Sequence, residues 1–142
     1  MNREILFRGM RTDGKWVEGQ YFYDLNGGHT IVVTLHDGGD GRTEPPCDYQ
    51  EYYNVIPETV GQYTGETIYN DVKVFEDDRC SYTTFNPVTG GDTQRIGKVV
   101  FEFGSWMITD DSDPEFMMFL HEAIINDDEF KVIGKIHDKT EK

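Results

Sequence analysis

Carboxylate side chains at alternate positions form the pattern in this sequence that comes nearest to a metal site. Asp111, Asp113 and Glu115 would place three carboxylates along one loop, as calcium-binding loops do. However, Phe116 stands where such a loop needs a glycine, and Pro114 interrupts it. The same residues suit the start of a helix with Asp113 as its N-cap. We therefore predict no metal ion and no other cofactor.

Two further patterns in the sequence bear on catalysis. Residues 91–99 (GDTQRIGKV) resemble a phosphate-binding loop, but the glycines are one residue too far apart and Val99 replaces the hydroxyl residue that would bind magnesium. The four histidines show no metal-ligand spacing, and no nucleophile motif is present. The sequence therefore favours a protein without catalytic activity.

The net charge of the chain argues against some classes of binding partner. Thirteen Lys and Arg against 27 Asp and Glu give a net charge of -14, which argues against direct binding to nucleic acid or to an anionic membrane. The longest apolar run, residues 116–120, is far shorter than the roughly 20 residues that span a bilayer. We expect a cytoplasmic protein, in which Cys47 and Cys80 are reduced thiols.

The local patterns are mostly those of β-strands. An Asp-Gly pair at Asp13 predicts a hairpin turn within the first 23 residues, and a second hairpin follows later. Strands are predicted over residues 4–10, 16–23, 29–35, 52–56, 67–75, 80–85, 94–103, 106–109 and 130–137. Glycine- and proline-rich loops are predicted at 37–48 and 86–92.

One helix is predicted over residues 114–125. Asp113 would cap it, a proline would occupy its first position, and Glu115 would lie near the positive end of the helix dipole. Apolar residues from Phe116 to Ile124 recur at helical spacing. The fold class is therefore mainly β with one short helix.

The most acidic part of the chain surrounds this apolar segment. From Asp110 to Glu129 there are eight acidic residues and no Lys or Arg. On a helix, five consecutive apolar positions cannot all face one core, so some would meet a protein partner or a second copy of the chain. The alternative is a solvated face that only keeps the protein soluble. The candidate interaction residues are Asp110, Asp111, Glu115, Met117, Met118 and Phe119.

A second candidate region lies in the middle of the chain. Between Gly61 and Gly65, two glycines permit tight bends, and Tyr63 combines an apolar ring with a polar hydroxyl. These residues either form part of the framework or, with Gln62 and Tyr63 facing a ligand, line a pocket for a small molecule or a substrate.

Three parts of the sequence together resemble the YopX family, whose members are small proteins encoded by bacteriophages and prophages. The first comprises residues 3–9 (REILFRG) and 14–19 (GKWVEG). The second comprises residues 55–65 (VIPETVGQYTG) and 68–72 (IYNDV). The third is residues 130–138 (FKVIGKIHD) at the end. The resemblance spans nearly the whole chain.

The resemblance implies a fold rather than an activity. It implies one domain over residues 1–142, mainly β and containing a small SH3-like barrel, with no established function. This chain departs from the family pattern in a shortened turn after Gly65, in Asn70 where the family has glycine, and in an insertion over residues 76–95. We expect a phage or prophage accessory protein that acts by protein binding or self-assembly.

Overall fold

The computed structural model describes residues 4–39, 41 and 46–136, and within them the chain is mainly β. Eleven strands form two antiparallel sheets accompanied by one short α-helix, which confirms the predicted class. The strands are β1 Phe7–Met10, β2 Trp16–Tyr23, β3 His29–Asp37, β4 Cys47–Asn54, β5 Gly61–Ile68, β6 Val72–Phe75, β7 Asp78–Asn86, β8 Gly91–Glu102, β9 Ser105–Asp110, β10 Asp113–Phe119 and β11 Lys131–Lys135. The helix α1 is Leu120–Ile125, and 3-10 helices cover Pro57–Thr59 and Tyr69–Asp71.

The single domain over residues 1–142 stays a prediction. The chain groups into two compact units, Met1–Gln62 and Tyr63–Lys142. The boundary falls within β5, whose residues Gly61 and Gln62 pair with β1 and whose residues Tyr63, Thr67 and Ile68 pair with β6. The small SH3-like barrel implied by the family resemblance stays a prediction.

The first unit is built on the hairpin predicted at the start of the chain. Gly14 has a φ of 88°, and its N–H donates to the carbonyl oxygen of Arg11 at 2.9 Å, which closes the turn between β1 and β2. The strand order then continues from β2 through β3 to β4. Its buried apolar side chains are Met10, Ile31, Val32 and Val55.

The loop predicted at 37–48 is shorter than expected where the structure describes it. Strand β3 extends to Asp37 and β4 begins at Cys47, and these two residues are paired. Residues 40 and 42–45 lie outside the described residues.

The second unit contains a five-stranded sheet in the order β10-β9-β8-β7-β11. The predicted pairing of the long hairpin β7–β8 is confirmed, although the strands reach into the predicted tip 86–92, because Asn86 pairs with Gly91. The predicted closing strand is confirmed as β11, whose expected last residue, His137, lies outside the described residues. The main core cluster is Val74, Cys80, Tyr82, Val99, Ile108, Leu120, Ala123 and Phe130.

The segment from Gly61 to Gly65, predicted to separate two strands, is itself part of β5. Tyr63 pairs with Phe75, and the register shifts between Tyr63 and Thr67. Gly65 lies in this irregular stretch with a φ of 89°, a conformation that glycine adopts without strain.

The predicted start of the helix is wrong. Residues 113–119 form strand β10, and α1 begins only at Leu120. Asp113 does not cap a helix; its carboxylate accepts a hydrogen bond from the N–H of Glu115 at 3.1 Å. The apolar residues alternate as on a strand, since Phe116 and Met118 are half-buried while Met117 and Phe119 are exposed.

The physical reason is that β9 offers β10 a partner for its backbone. Met117, Met118 and Phe119 pair with Thr109, Ile108 and Met107 in turn. The register shifts between Asp113 and Met117, so the intervening proline lies in an irregular stretch where its missing N–H removes no regular ladder bond. Tertiary pairing therefore overrides the local helix-start signal.

A close approach of two backbones occurs at Gly97 in β8. A Cβ atom added there would lie 1.7 Å from the carbonyl oxygen of Thr109. Only glycine therefore fits, and the absent side chain lets the end of β9 lie against β8, where the N–H of Asp111 donates to the carbonyl of Ile96 at 2.8 Å.

We expect Gly97→Ala to destabilise the protein, because the backbone of β8 or β9 must move to admit the methyl group. The expected loss is at least about 1–3 kcal/mol in the free energy of unfolding, measured by urea denaturation. Gly91→Ala on the same strand is the matched control, since its Cβ would lie 3.6 Å from the nearest atom, Thr89 Oγ1. Equal stability of the two variants would contradict the close approach.

Candidate functional site

A groove in the second unit brings together two aromatic rings, an imidazole and two carboxylates. It encloses about 450 Å³ beside the junction of β10 and α1. Its lining residues are Glu66, Ser105, Trp106, Phe119, Leu120, His121 and Glu122. Of the six candidate interaction residues, it contains Phe119.

The apolar part of the groove is held by the sheet. Trp106 on β9 is half-buried and meets the ring of Phe101 edge-on, with centroids 5.0 Å apart. Phe119 ends β10 and is 50% exposed, so its ring is available to a ligand. The next residue, Leu120, is fully buried and anchors the start of α1 in the core.

An imidazole–carboxylate pair crosses the groove. His121 Nδ1 lies 2.7 Å from Glu66 Oε1, which joins α1 to β5 across 55 positions of sequence. An ionised carboxylate only accepts hydrogen bonds, so the imidazole donates from Nδ1 and the pair fixes the orientation of both side chains. The Glu66 side chain is 27% exposed and that of His121 is 64% exposed.

The groove presents negative charge next to aromatic surface. Glu66 and Glu122 supply two carboxylates, and no Lys or Arg is among the lining residues. A cation can lie over an aromatic face and pair with a nearby carboxylate at the same time. The arrangement therefore suits a lysine or arginine side chain better than an anion.

Asp110 and Asp111, two of the candidate interaction residues, lie elsewhere and are engaged in ion pairs. Arg95 Nη1 donates to Asp110 Oδ2 at 2.7 Å, and Arg79 Nη2 lies 2.7 Å from Asp111 Oδ2. The Asp110 side chain is 5% exposed, whereas that of Asp111 is 44% exposed. Asp110 is therefore a structural group rather than part of an accessible acidic surface.

The surroundings of Asp110 favour its charged form. The backbone N–H of Ser112 donates to Asp110 Oδ1 at 2.9 Å, and the Ser112 hydroxyl donates to the same oxygen at 2.8 Å. These bonds, together with the one from Arg95, hold the pKa of the Asp110 carboxyl below its usual range.

The Arg95 side chain contacts two further elements, β7 and β10. Its Nε donates to Thr84 Oγ1 at 2.9 Å, and its guanidinium lies 3.7 Å from the centroid of the Phe116 ring. Nearby, the Tyr82 hydroxyl donates to the carbonyl of Thr109 at 2.5 Å, and burial raises the pKa of Tyr82.

The remaining candidate residues on β10 differ in exposure. Glu115 is exposed, and Met117 is 36% exposed on the outer face of the strand. Met118 points the other way and packs against the core cluster. Strand alternation thus accounts for the apolar run, with Met117 and Phe119 left at the surface.

The two candidate ligand-facing residues lie on β5. Tyr63 is 7% exposed, and its ring lies 5.6 Å from that of Phe75. Lys73 Nζ lies 5.8 Å from the Tyr63 ring centroid. Gln62 is half-buried and pairs with Phe7. The burial of Tyr63 favours the framework alternative for this residue.

Sequence reasoning missed Trp106, His121 and Glu66 as members of one site. His121 belongs to no metal-ligand spacing in the sequence, and Glu66 lies in the turn after Gly65 that is shortened relative to the family pattern. Because β5, β9 and α1 are far apart in sequence, only the fold brings their side chains together. The local signal available is Phe119, an aromatic residue two positions before His121.

The described part of the chain contains neither a metal-binding cluster nor a membrane-spanning helix. Within residues 4–39, 41 and 46–136, no group of three or more His, Cys, Asp or Glu side chains is placed to hold a metal ion. The helices in the same ranges are too short and too polar to cross a bilayer.

Comparisons of this chain with protein-family models, with curated proteins and with solved structures gave no match. The fold and the groove alone thus define the class, a mainly β protein that carries an anionic aromatic groove.

We expect Asp110→Asn to lower the melting temperature at neutral pH, because it removes a charge that the folded state stabilises. Since folding lowers the Asp110 pKa, this stabilisation is complete above the ordinary aspartate pKa of about 4 and is lost as the pH falls through the lowered value. The difference between wild type and variant should therefore shrink at low pH.

Thermal unfolding of both proteins at neutral and acidic pH measures this difference. Asp111→Asn is the matched control, because it breaks a more exposed ion pair and should change the melting temperature less. A difference for Asp110→Asn that is constant with pH would contradict the assignment.

Proposed function

We propose that this chain is a YopX-like accessory protein of a phage or prophage, acting in the cytoplasm of the bacterial host by binding a protein partner. The observation that carries the proposal is the anionic aromatic groove lined by Trp106, Phe119, Glu66 and Glu122. An exposed aromatic ring next to carboxylates is typical of a binding surface.

The backbone at Asn70 supports the family resemblance. Asn70 has φ 65° and ψ 29°, in the left-handed region that favours glycine and tolerates asparagine. The family carries glycine at this position, so the substitution preserves the conformation that the turn after β5 requires.

The chemistry of the groove indicates what the partner presents. A lysine or arginine side chain would stack on Phe119 and Trp106 and pair with Glu122 or Glu66. The net charge of -14 would further attract a basic partner from a distance. We therefore propose a partner with an exposed basic segment.

Peptide binding tests this function directly. The probe is a short uncharged peptide carrying one central arginine, and its glutamine counterpart serves as the reference. In ¹⁵N-resolved NMR titrations we expect the arginine peptide to move the Trp106 indole and His121 signals more than the glutamine peptide does. Added salt should weaken the effect, because the carboxylates lie near solvent.

Two variants with matched controls locate the binding. Phe119→Ser and Glu122→Gln should each weaken arginine-peptide binding by about 3- to 30-fold, the range of a cation–π or partly desolvated charge contact. Phe85→Ser and Asp92→Asn, which alter an exposed aromatic and an exposed carboxylate near the tip of the β7–β8 hairpin, should leave it unchanged. Equal affinity for the arginine and glutamine peptides would contradict the proposal.

Self-assembly is the second candidate function, and the edge position of β10 favours it. This strand ends the five-stranded sheet and leaves Met117 and Phe119 exposed. Light scattering coupled to size exclusion at low and high salt distinguishes the two functions. A stable oligomer that Met117→Ser dissociates would favour assembly, whereas a monomer would leave the groove to a different protein.

A further inference from the structure

The first unit carries a depression of a different chemical character on the face of β2, β3 and β4 that includes Val32. It encloses about 350 Å³ and is lined by Gln20, Phe22, Val32, Thr34, Gln50 and Tyr52. A second depression of about 280 Å³ shares Phe22, Val32 and Tyr52 with it and extends toward the β2–β3 turn. Together they form an elongated site rather than an isolated hollow.

The strand register explains how the two rings come to flank one valine. Val32 in the middle strand pairs with Gln20 on β2 and with Tyr52 on β4. Phe22 follows Gln20 by two residues and so lies on the same face. Val32 is 5% exposed, whereas Phe22 and Tyr52 are 59% and 66% exposed. Strands β2 and β4 are about 10 Å apart, two inter-strand spacings.

The polar side chains of the depression can both donate and accept hydrogen bonds. Tyr52 donates to Gln50 Oε1 at 3.0 Å, and Gln20 Nε2 donates to the carbonyl of Ile5 at 3.2 Å. These bonds hold each amide in one orientation and direct the amide nitrogen of Gln50 and the amide oxygen of Gln20 toward other partners. Thr34 adds a hydroxyl that can donate or accept a hydrogen bond.

The lining of the larger depression carries no charge, although the chain as a whole carries -14. The neighbouring depression contains one carboxylate, Asp24, whose Oδ1 accepts the backbone N–H groups of Asn26 and Gly28 at 2.9 Å each. The Asp24 carboxylate is therefore used in hydrogen bonds within the β2–β3 turn. A charged ligand would gain little here, and an uncharged ligand with many hydroxyls fits both the rings and the amides.

We propose that this depression binds an uncharged oligosaccharide of flat, β-linked pyranose units. The C–H faces of such a sugar are apolar and stack on aromatic rings, while its edge hydroxyls donate and accept hydrogen bonds. Phe22 and Tyr52 supply the stacking surfaces, and Gln20, Gln50 and Thr34 supply the bonding groups. Because the site is elongated and its two rings lie on strands about 10 Å apart, it matches several linked sugars better than a single one. This site is independent of the groove that carries the proposed function.

A titration with cellotetraose tests the proposal on the full chain. Backbone amide signals of β2, β3 and β4 should shift in ¹⁵N-resolved spectra at millimolar sugar, and signals of α1 should not. Phe22→Ala and Tyr52→Ala should each weaken binding at least tenfold. Tyr52→Phe should weaken binding less than Tyr52→Ala does, because it keeps the stacking surface and loses only the hydroxyl that orients Gln50.

Tyr69→Ala removes an aromatic ring that is 85% exposed in the second unit, and it should leave cellotetraose binding unchanged. Circular dichroism and thermal unfolding of each variant confirm that the sheet is intact. Absence of shifts in β2, β3 and β4 would overturn the proposal. So would a concentration-dependent dimer that Phe22→Ala dissociates, since the face would then bind a second copy of the chain.

Discussion

The ion pair between Arg95 and Asp110 holds the part of the second unit on which the groove depends. One guanidinium, on β8, bonds to the end of β9 and lies against the ring of Phe116 in β10. With Phe116 held there, β10 resumes its pairing with β9 in the register that directs Phe119 outward. The carboxylates of this region therefore have two roles. Asp110 stabilises the sheet through its ion pair, whereas others such as Glu115 face solvent.

Much of the fold follows from local sequence signals, whereas the site does not. Turn residues such as Gly14 and the alternation along the strands predict the hairpins. The apolar run at 116–120 fits a helix and a strand equally well, and only the backbone groups of β9 decide between them. His121 and Glu66 are neighbours solely because the chain folds, so no spacing in the sequence predicts their contact.

Two surfaces of this protein favour ligands of different charge. The groove beside Phe119 combines aromatic rings with carboxylates and suits a cation. The depression around Val32 combines aromatic rings with amides and suits a neutral ligand. In both, a deeply buried aliphatic residue, Leu120 or Val32, forms the base, and exposed rings provide the contact area. The polar groups around the rings, not the rings themselves, determine which ligand is favoured.

The two cysteines offer a way to follow the opening of the second unit in solution. Neither forms a disulfide; Cys47 is exposed at the start of β4, and Cys80 is fully buried in the core cluster. A thiol reagent should therefore modify Cys47 in the native protein and reach Cys80 only when β7 separates from its neighbours. The slower of the two labelling rates then measures how often that core opens, without any denaturant.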